Sequence, residues 1–403
     1  MNLAEWRLLV LGALCVGLGG TSGQEGGRRV SLQFNPGFAN TTVNLLHVRA
    51  VGNGSTIHYL WSTIGSPTVL LIYTDSEKSQ LHVNWTKLLS PTPQGAIAID
   101  PAGSVRYSTA LIFTKIFEYR DINNTANFSG TEEKYFYTPY DLSDFVWENA
   151  NATINTTDLT ARLKGSNGTD PTNSFQNGSI SFRISAYGVS GRDSASPRLL
   201  HTANCTKLEF RIDNVKPRGN NSRFALEMIT LEKGGRKKIE SVRTIDDEYT
   251  PTIFEMMQLV PDSWNDSYAR GFIQWKSVAY GSANGTRADV IPCQLYAPQP
   301  LNGTFTAPDI VRAFYGDDLM ELYSLEAFNI SFGIADGDFY DKHEFLSWSA
   351  LIGYGDPPGD TFSILVICIM AVALGTPLLL LIIGAIVVST LKHKVYTNYE
   401  PIN

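Results

Sequence analysis

Acid–base chemistry needs two ionisable groups facing one another, and this sequence offers few candidates for such a pair. Asp246, Asp247 and Glu248 supply adjacent carboxylates, the groups that glycoside chemistry places across a cleft. Adjacency in the chain does not put them on opposite sides of one, and an exposed acidic turn is the plainer reading. Asp336, Asp338 and Asp341 in ADGDFYD have the oxygen-rich spacing of a Ca²⁺ loop but lack the bidentate Glu that closes an EF-hand, so a solvated turn is expected there. His343-Glu344 begins a zinc-helix pattern, with Ser347 where the second histidine should stand. His47, His58, His82 and His201 lie in strand-like stretches without a spaced nucleophile and read as core or surface histidines. The G-x-S-x-G elbow, the H-E-x-x-H helix, the G-x-x-x-x-G-K phosphate loop and the C-x-x-C pair are all missing. No catalytic, cofactor-binding or metal-ligating residue is assigned, and no enzymatic activity is expected.

The pattern that does recur is Asn-x-Ser/Thr, the acceptor (sequon) for N-linked sugar in the secretory lumen. Fifteen sequons start at Asn40, Asn53, Asn84, Asn123, Asn127, Asn151, Asn155, Asn167, Asn177, Asn204, Asn220, Asn265, Asn284, Asn302 and Asn329. This exceeds what composition would scatter, and none falls in the apolar stretches at the two ends or in the tail. Asn and its hydroxyl partner are two residues apart, so on a strand they share a face. In Leu81-His82-Val83-Asn84-Trp85-Thr86 the apolar side is Leu81, Val83 and Trp85, leaving Asn84 and Thr86 outward. Phe328, Ile330 and Phe332 leave Asn329 and Ser331 outward in the same way. Solvent-facing sugars on half-buried strands are expected, with Asn204 the weakest acceptor because Cys205 is its middle residue.

The ends of the chain agree with that compartment. An apolar run from Leu8 to Leu18 follows Arg7 and is succeeded by Gly19, Gly20, Thr21, Ser22 and Gly23. It reads as a signal peptide, residues 1–23, the alternative being an uncleaved anchor. Residues 361–391 carry no charge and exceed the roughly 20 residues needed to cross a bilayer. Lys392, His393 and Lys394 follow directly and favour the cytosolic side. The expected topology is single-pass type I: a lumenal ectodomain over 24–360, a transmembrane helix over 361–391 and a cytosolic tail over 392–403. Within the span, Ala371 and Gly375 form a small-x-x-x-small step and Gly384 adds a second flat patch, with Pro377 between them. The alternative is a plain anchor.

Cys15 leaves with the signal and Cys368 lies in the span, so Cys205 and Cys293 remain in the ectodomain. One disulfide between them is the simplest outcome in an oxidising compartment, and two buried free thiols are the alternative. A single bridge only staples a domain of this size, so a hydrophobic core must hold it. Alternation marks that core as β: Val105, Tyr107, Thr109, Leu111 and Phe113; Ile180, Phe182, Ile184 and Ala186; Leu208, Phe210 and Ile212; Phe224, Leu226 and Met228. One-sided burial implies antiparallel sheets. The expected fold is mainly β, a sandwich-like ectodomain or two packed β-subdomains with a boundary near 149–179, plus the C-terminal transmembrane α-helix. Thr250-Pro251 before Thr252 to Val260 fits either a short helix or a strand. A net charge of −7 with scattered basic residues argues against a nucleic-acid partner.

The tail ends in Tyr399-Glu400-Pro401-Ile402, a Tyr-x-x-Φ pattern in which Tyr399 and Ile402 would anchor an extended segment in two pockets of a clathrin adaptor. Endosomal and lysosomal delivery is the expected consequence. LLHVRAVGNGSTIHYLW (Leu45 to Trp61), PRLLHTA (Pro197 to Ala203), IDDEYTP (Ile245 to Pro251), IVRAFYG (Ile310 to Gly316) and LSWS (Leu346 to Ser349), together with the tail, resemble the glycosylated lysosomal membrane protein family over nearly the whole chain. The resemblance implies a lysosomal accessory subunit of a major facilitator superfamily transporter that exports dipeptides. In such a pair the glycosylated subunit stabilises its poorly glycosylated partner and shields it from lumenal proteases. The competing readings are a glycan-coat protein of the lysosomal membrane and a membrane-anchored hydrolase.

Overall fold

The structure is a computed structural model, and it describes residues 26–39, 42–233, 235–243, 255–262, 268–301, 305–359 and 364–396. They belong to two units, one ending at Pro358 and one starting at Gly359. In chain order the first unit carries β1 (Arg29–Phe34), β2 (Leu45–Gly52), β3 (Ser55–Ser62), β4 (Thr68–Thr74), β5 (Gln80–Val83), the one-turn helix α1 (Trp85–Leu88), β6 (Ile97–Asp100) and β7 (Val105–Arg120). Next come β8 (Tyr140–Asp141), β9 (Val146–Trp147), β10 (Thr160–Ser166), β11 (Ser179–Ala186), β12 (Gly191–Arg192), β13 (Leu200–His201), β14 (Cys205–Asp213) and β15 (Ser222–Glu232). The unit closes with β16 (Lys237–Arg243), β17 (Glu255–Pro261), β18 (Gly271–Lys276), β19 (Val278–Tyr280), β20 (Val290–Pro300), α2 (Asp309–Tyr315), α3 (Leu319–Leu322), β21 (Ser324–Phe332) and β22 (Phe345–Tyr354). The second unit is α4 (Ile364–Tyr396).

Two antiparallel sheets follow from the pairings. The first runs β1-β2-β3-β4-β7-β15-β21-β20, with β8 beside the far end of β7. The second runs β9-β10-β11-β14-β22-β18-β17-β16, with β19 continuing beside β22. Strand β20 joins both, pairing with β19 through Val290–Pro292 and with β21 from Cys293 onward. Local sequence sets the tighter corners: Gly52 faces Ser55 across the two-residue turn Asn53-Gly54, and Gly54 takes φ +72°, which an Asn-Gly hairpin turn requires.

The predicted periodicities become the inner faces. Ile180, Phe182 and Ile184 of β11, Leu208, Phe210 and Ile212 of β14, and Phe224, Leu226 and Met228 of β15 join one buried layer with Leu46, Val48, Trp61, Trp275 and Trp348. Tyr107, Leu111 and Phe113 of β7 belong to it as well. Val105 does not, because a register shift beside Tyr73 and Thr74 changes the phase of the strand, and its side chain packs on a second cluster.

That second cluster is where the structure departs from one-sided burial. Leu45, Leu60, Leu70, Ile72, Ala110, Ile112, Ile229 and Leu231 point away from the sandwich and are buried under Trp85 and Leu88 of α1, Ile97 and Ile99 of β6, and Ile310 and Val311 of α2. The first sheet is thus apolar on both faces over β3 and β4, which gives the near-continuous hydrophobic runs there.

Four other expectations change. The stretch 149–179 is no boundary, since β10 lies within it and pairs with both β9 and β11. Asn84 is not on a strand: β5 ends at Val83, and Asn84 caps α1 by accepting a hydrogen bond from Lys87 N at 3.1 Å, although it stays exposed and Trp85 is buried. Ser331 shares the outer side of β21 with Asn329 but is buried there, and Asn329 is half-buried. Cys205 and Cys293 are not joined. Cys205 faces Gly353 of β22, whereas Cys293 on β20 is reached only across β22 and β19. Three strand spacings, about 14 Å, exceed the roughly 7 Å that a disulfide spans between Cα atoms. Of the segment left open, Glu255–Pro261 is strand, while 250–254 lies outside the described residues.

Trp348 meets Trp275 edge-on at 6.1 Å in the middle of the inter-sheet layer and is fully enclosed. Trp348→Ala removes that ring from a packed core, and a loss of about 3–5 kcal/mol is expected, read as a lower urea midpoint for the detergent-solubilised protein.

Candidate functional site: a sheet face without sequons

The residues singled out for chemistry are brought together in few cases. Asp246, Asp247 and Glu248 lie outside the described residues. In ADGDFYD, Asp341 accepts hydrogen bonds from the backbone N–H groups of Asn221 (2.9 Å) and Ser222 (3.1 Å), and Asp338 pairs with Lys342 at 2.7 Å. The Lys342 hydrogen bond holds the Asp338 carboxyl below the usual range. These carboxylates anchor a turn against the start of β15, and no group of three possible metal ligands occurs among the described residues. His343 stands 3.9 Å from Asp338, and Glu344 is a turn residue at φ +47°. His82 is exposed, and His201 stacks on Tyr187 with ring centroids 3.5 Å apart.

His47 and His58 do meet. His47 Nε2 lies 3.0 Å from His58 Nδ1, His58 Nε2 lies 2.9 Å from Ser79 Oγ, and Ser79 Oγ lies 2.7 Å from Thr74 Oγ1. The order resembles a nucleophile, a base and its orienting group. Two properties defeat that use. Ser79 is fully buried, so its oxygen cannot reach a substrate. Burial, the neighbouring imidazole and Arg49 push His47 down to about 3, and burial with Arg49 does the same for His58, which makes them weak bases.

Sequence reading missed three buried ion pairs. Arg218 donates to Glu118 from Nε (2.7 Å) and from its backbone N (2.6 Å), and its guanidinium lies 4.1 Å from the Tyr140 ring centroid. Arg223 Nε donates to Asp121 at 2.7 Å, and Lys237 Nζ sits 2.8 Å from Glu232. A charge inside an apolar strand, as in SRFALEMITLE, was the available signal. The first two pairs pin the loops that bear Asn220, Asn123 and Asn127.

Twelve sequons fall on described residues, and Asn40, Asn265 and Asn302 lie outside them. Asn53, Asn84, Asn123, Asn127, Asn151, Asn155, Asn177, Asn220 and Asn284 are exposed, and Asn167, Asn204 and Asn329 are half-buried. Asn204 also accepts a hydrogen bond from Arg28 Nε at 2.6 Å. Placed on the pairing registers, eleven occupy turns, loops or strand ends, and Asn329 alone lies inside a strand.

One broad surface between them carries none. On the outer face of β10, β11, β14 and β22 the cross-strand rows are Arg162, Arg183, Glu209 and Ser349, then Lys164, Ser181, Arg211 and Ser347. Lys207 lies alongside. The inward neighbours of these residues form the core, so the rows lie on the outer side together, with Arg162, Lys164, Arg183, Glu209 and Arg211 half-buried and Ser181, Lys207, Ser347 and Ser349 buried. Glu209 bonds Arg211 (2.6 Å), Lys207 pairs with Asp193 (2.8 Å) and Lys164 with Glu148 (2.7 Å). Burial raises the Glu209 carboxyl, but Arg211, Lys207 and Ser347 outweigh it and hold the group low. Arg162, Lys164, Arg183, Lys207 and Arg211 against Glu148, Asp193, Glu209 and Asp213 leave this face with a slight positive excess in a chain of net charge −7. Sequons Asn155, Asn167, Asn177 and Asn204 stand beside the ends of its strands, and Asn151 lies in the turn flanking β10.

The comparisons decide the family. The family model described as glycosylated lysosomal membrane protein matches residues 44–395. The chain belongs to this family. It is 73% identical to glycosylated lysosomal membrane protein B of Xenopus laevis over 99% of this chain and 98% of that one. To the Homo sapiens glycosylated lysosomal membrane protein it is 41% identical, covering 100% and 96%, and to that of Danio rerio 40%, covering 93% and 92%. These relatives are named as lysosomal membrane glycoproteins and not as enzymes.

Among the described residues α4 is the one helix long and apolar enough to cross a membrane, with Leu365–Leu391, 27 residues of high mean hydropathy. At about 100° per residue, Ala371 and Gly375 lie on one side of α4 and Gly384 on the opposite side. The two flat patches therefore face different directions.

The histidine pair yields a pH dependence. Unfolded histidine protonates near pH 6.5, while folded His47 and His58 stay neutral to about 3. The unfolded state therefore binds more protons below pH 6.5, so stability is full above that value and falls as the pH drops toward 3, by about 2 kcal/mol per histidine at pH 5. His58→Gln is expected to make the decline between pH 7 and 5 shallower, measured by thermal melts across that range.

Proposed function

We propose that this chain is a non-enzymatic accessory subunit, which binds a lysosomal major facilitator superfamily transporter of dipeptides, stabilises it and shields it from lumenal proteases. The observation that carries the reading is the outer face of β10, β11, β14 and β22, polar, slightly positive and free of the described sequons, several of which stand at its margins. A sugar at Asn167 or Asn177 stands off the strand ends and leaves the sheet face open to a protein surface. A coat protein without a partner has no need of such a gap. The face fits acidic lumenal loops through charge complementarity, which favours encounter and register. In the same reading the unit ending at Pro358 is lumenal, the helix packs on the transporter through Ala371 and Gly375 or through Gly384, and Tyr399 and Ile402 direct the pair to lysosomes through a clathrin adaptor.

Arg183→Asn creates a sequon with Ser185 in the middle of the face, and Leu322→Asn creates one with Ser324 on exposed α3, over the other sheet. Co-purification of the transporter is expected to be lost with the first, provided the new site carries sugar, and kept with the second. Retention by a glycosylated Arg183→Asn protein contradicts the assigned face. Tyr399→Ala is expected to move the protein from lysosomes to the cell surface, scored by surface labelling.

A further inference from the structure

Asn329 differs from the other described sequons in lying inside a strand, with Glu227 and Tyr296 as its cross-strand neighbours. It opens into a groove of about 710 Å³ on the outer side of the first sheet, walled by Phe117, Phe128, Phe136 and Tyr137. The three phenylalanines make an edge-on cluster, with Phe117 to Phe128 at 5.4 Å and Phe128 to Phe136 at 5.3 Å. All four rings remain only half-buried, so each keeps an open portion toward the groove. Thr131, Glu133 and Thr138 add polar groups to the lining.

We propose that this groove is the seat of the chain's own N-linked sugar at Asn329, whose first N-acetylglucosamine units fold back over Phe117, Phe128 and Phe136. A sugar ring has one face of C–H groups, weakly positive, which suits the negative face of an aromatic ring. Its hydroxyl and acetamide groups suit the polar residues of the lining. Apolar walls with a few placed polar groups are the usual composition of a small-ligand pocket. The covalent link holds the ligand at the groove, so occupancy needs little intrinsic affinity. The sugar here is part of the fold, unlike those at hairpin tips such as Asn53. This inference rests on the lumenal orientation proposed above, which the occupancy of Asn53 and Asn284 tests separately.

Full-length protein from animal cells, digested natively with peptide N-glycosidase and followed by glycopeptide mass spectrometry, tests it. Asn329 is expected to be occupied and to lose its sugar about tenfold more slowly than Asn53 and Asn284, a ratio of the size that one aromatic contact gives. After denaturation the three rates should converge. Phe136→Ala should remove most of the native protection. If that variant fails to fold, Phe117→Leu keeps the bulk without the ring and should weaken protection in the same direction. An unmodified Asn329 beside occupied Asn53 and Asn284, equal native rates, or protection unchanged in a folded ring variant overturns the seat. Absence of sugar from all three sites overturns the lumenal orientation and the seat with it.

Discussion

The apolar layer between the two sheets is what the rest of the first unit depends on. Trp61, Trp275, Trp348, Phe113, Phe182 and Phe210 fill it, and no disulfide among the described residues shares the task. Since β20 pairs with both sheets, the sheets are tied by backbone as well as by packing. Large rings that interlock at crystal-like density specify one relative placement of the strands, and that placement sets the outward rows of Arg183, Glu209 and Arg211. The polar face is a consequence of the core: shift β11 by one residue against β14 and its apolar set would turn outward.

Much of that layer was legible as period-2 alternation. Ile180, Phe182 and Ile184, with Leu208, Phe210 and Ile212, mark inner faces of the second sheet without any structure. The first sheet was less so, because Leu45-Leu46 and Leu70-Leu71-Ile72 bury both faces, and a run without alternation hides which element covers the second side. That cover comes from α1, β6 and α2, so that Leu45 and Ile310, near opposite ends of the first unit's sequence, share one cluster. Ion pairs such as Arg218 with Glu118, a hundred residues apart, were out of reach for the same reason. Cysteine counting suggested a bridge that strand order then separated. Sequons are local motifs and were readable at once, but the gap between them appears only when β10, β11, β14 and β22 are in register.

These parts give the proposed role a physical basis. The described sequons concentrate on turns and strand ends, where attached sugars would screen the backbone that proteases attack, and buried ion pairs hold the loops bearing Asn123, Asn127 and Asn220. The His47–His58 pair lowers stability in acid, so the core carries that cost as well. The chain belongs to a family named for lysosomal membrane glycoproteins, and α4 is long and apolar enough to cross a membrane. Among the described residues the groups that chemistry would require are turn anchors, exposed side chains or sealed in the core. In the proposed role, binding to another protein would use the outer face of β10, β11, β14 and β22, which carries none of the described sequons.

The most direct test is purification of the full-length protein from lysosomal membranes in mild detergents, with mass spectrometry of whatever remains attached. The accessory-subunit account predicts one multi-spanning transporter recovered near a one-to-one ratio; recovery of this chain alone in several such detergents would contradict it.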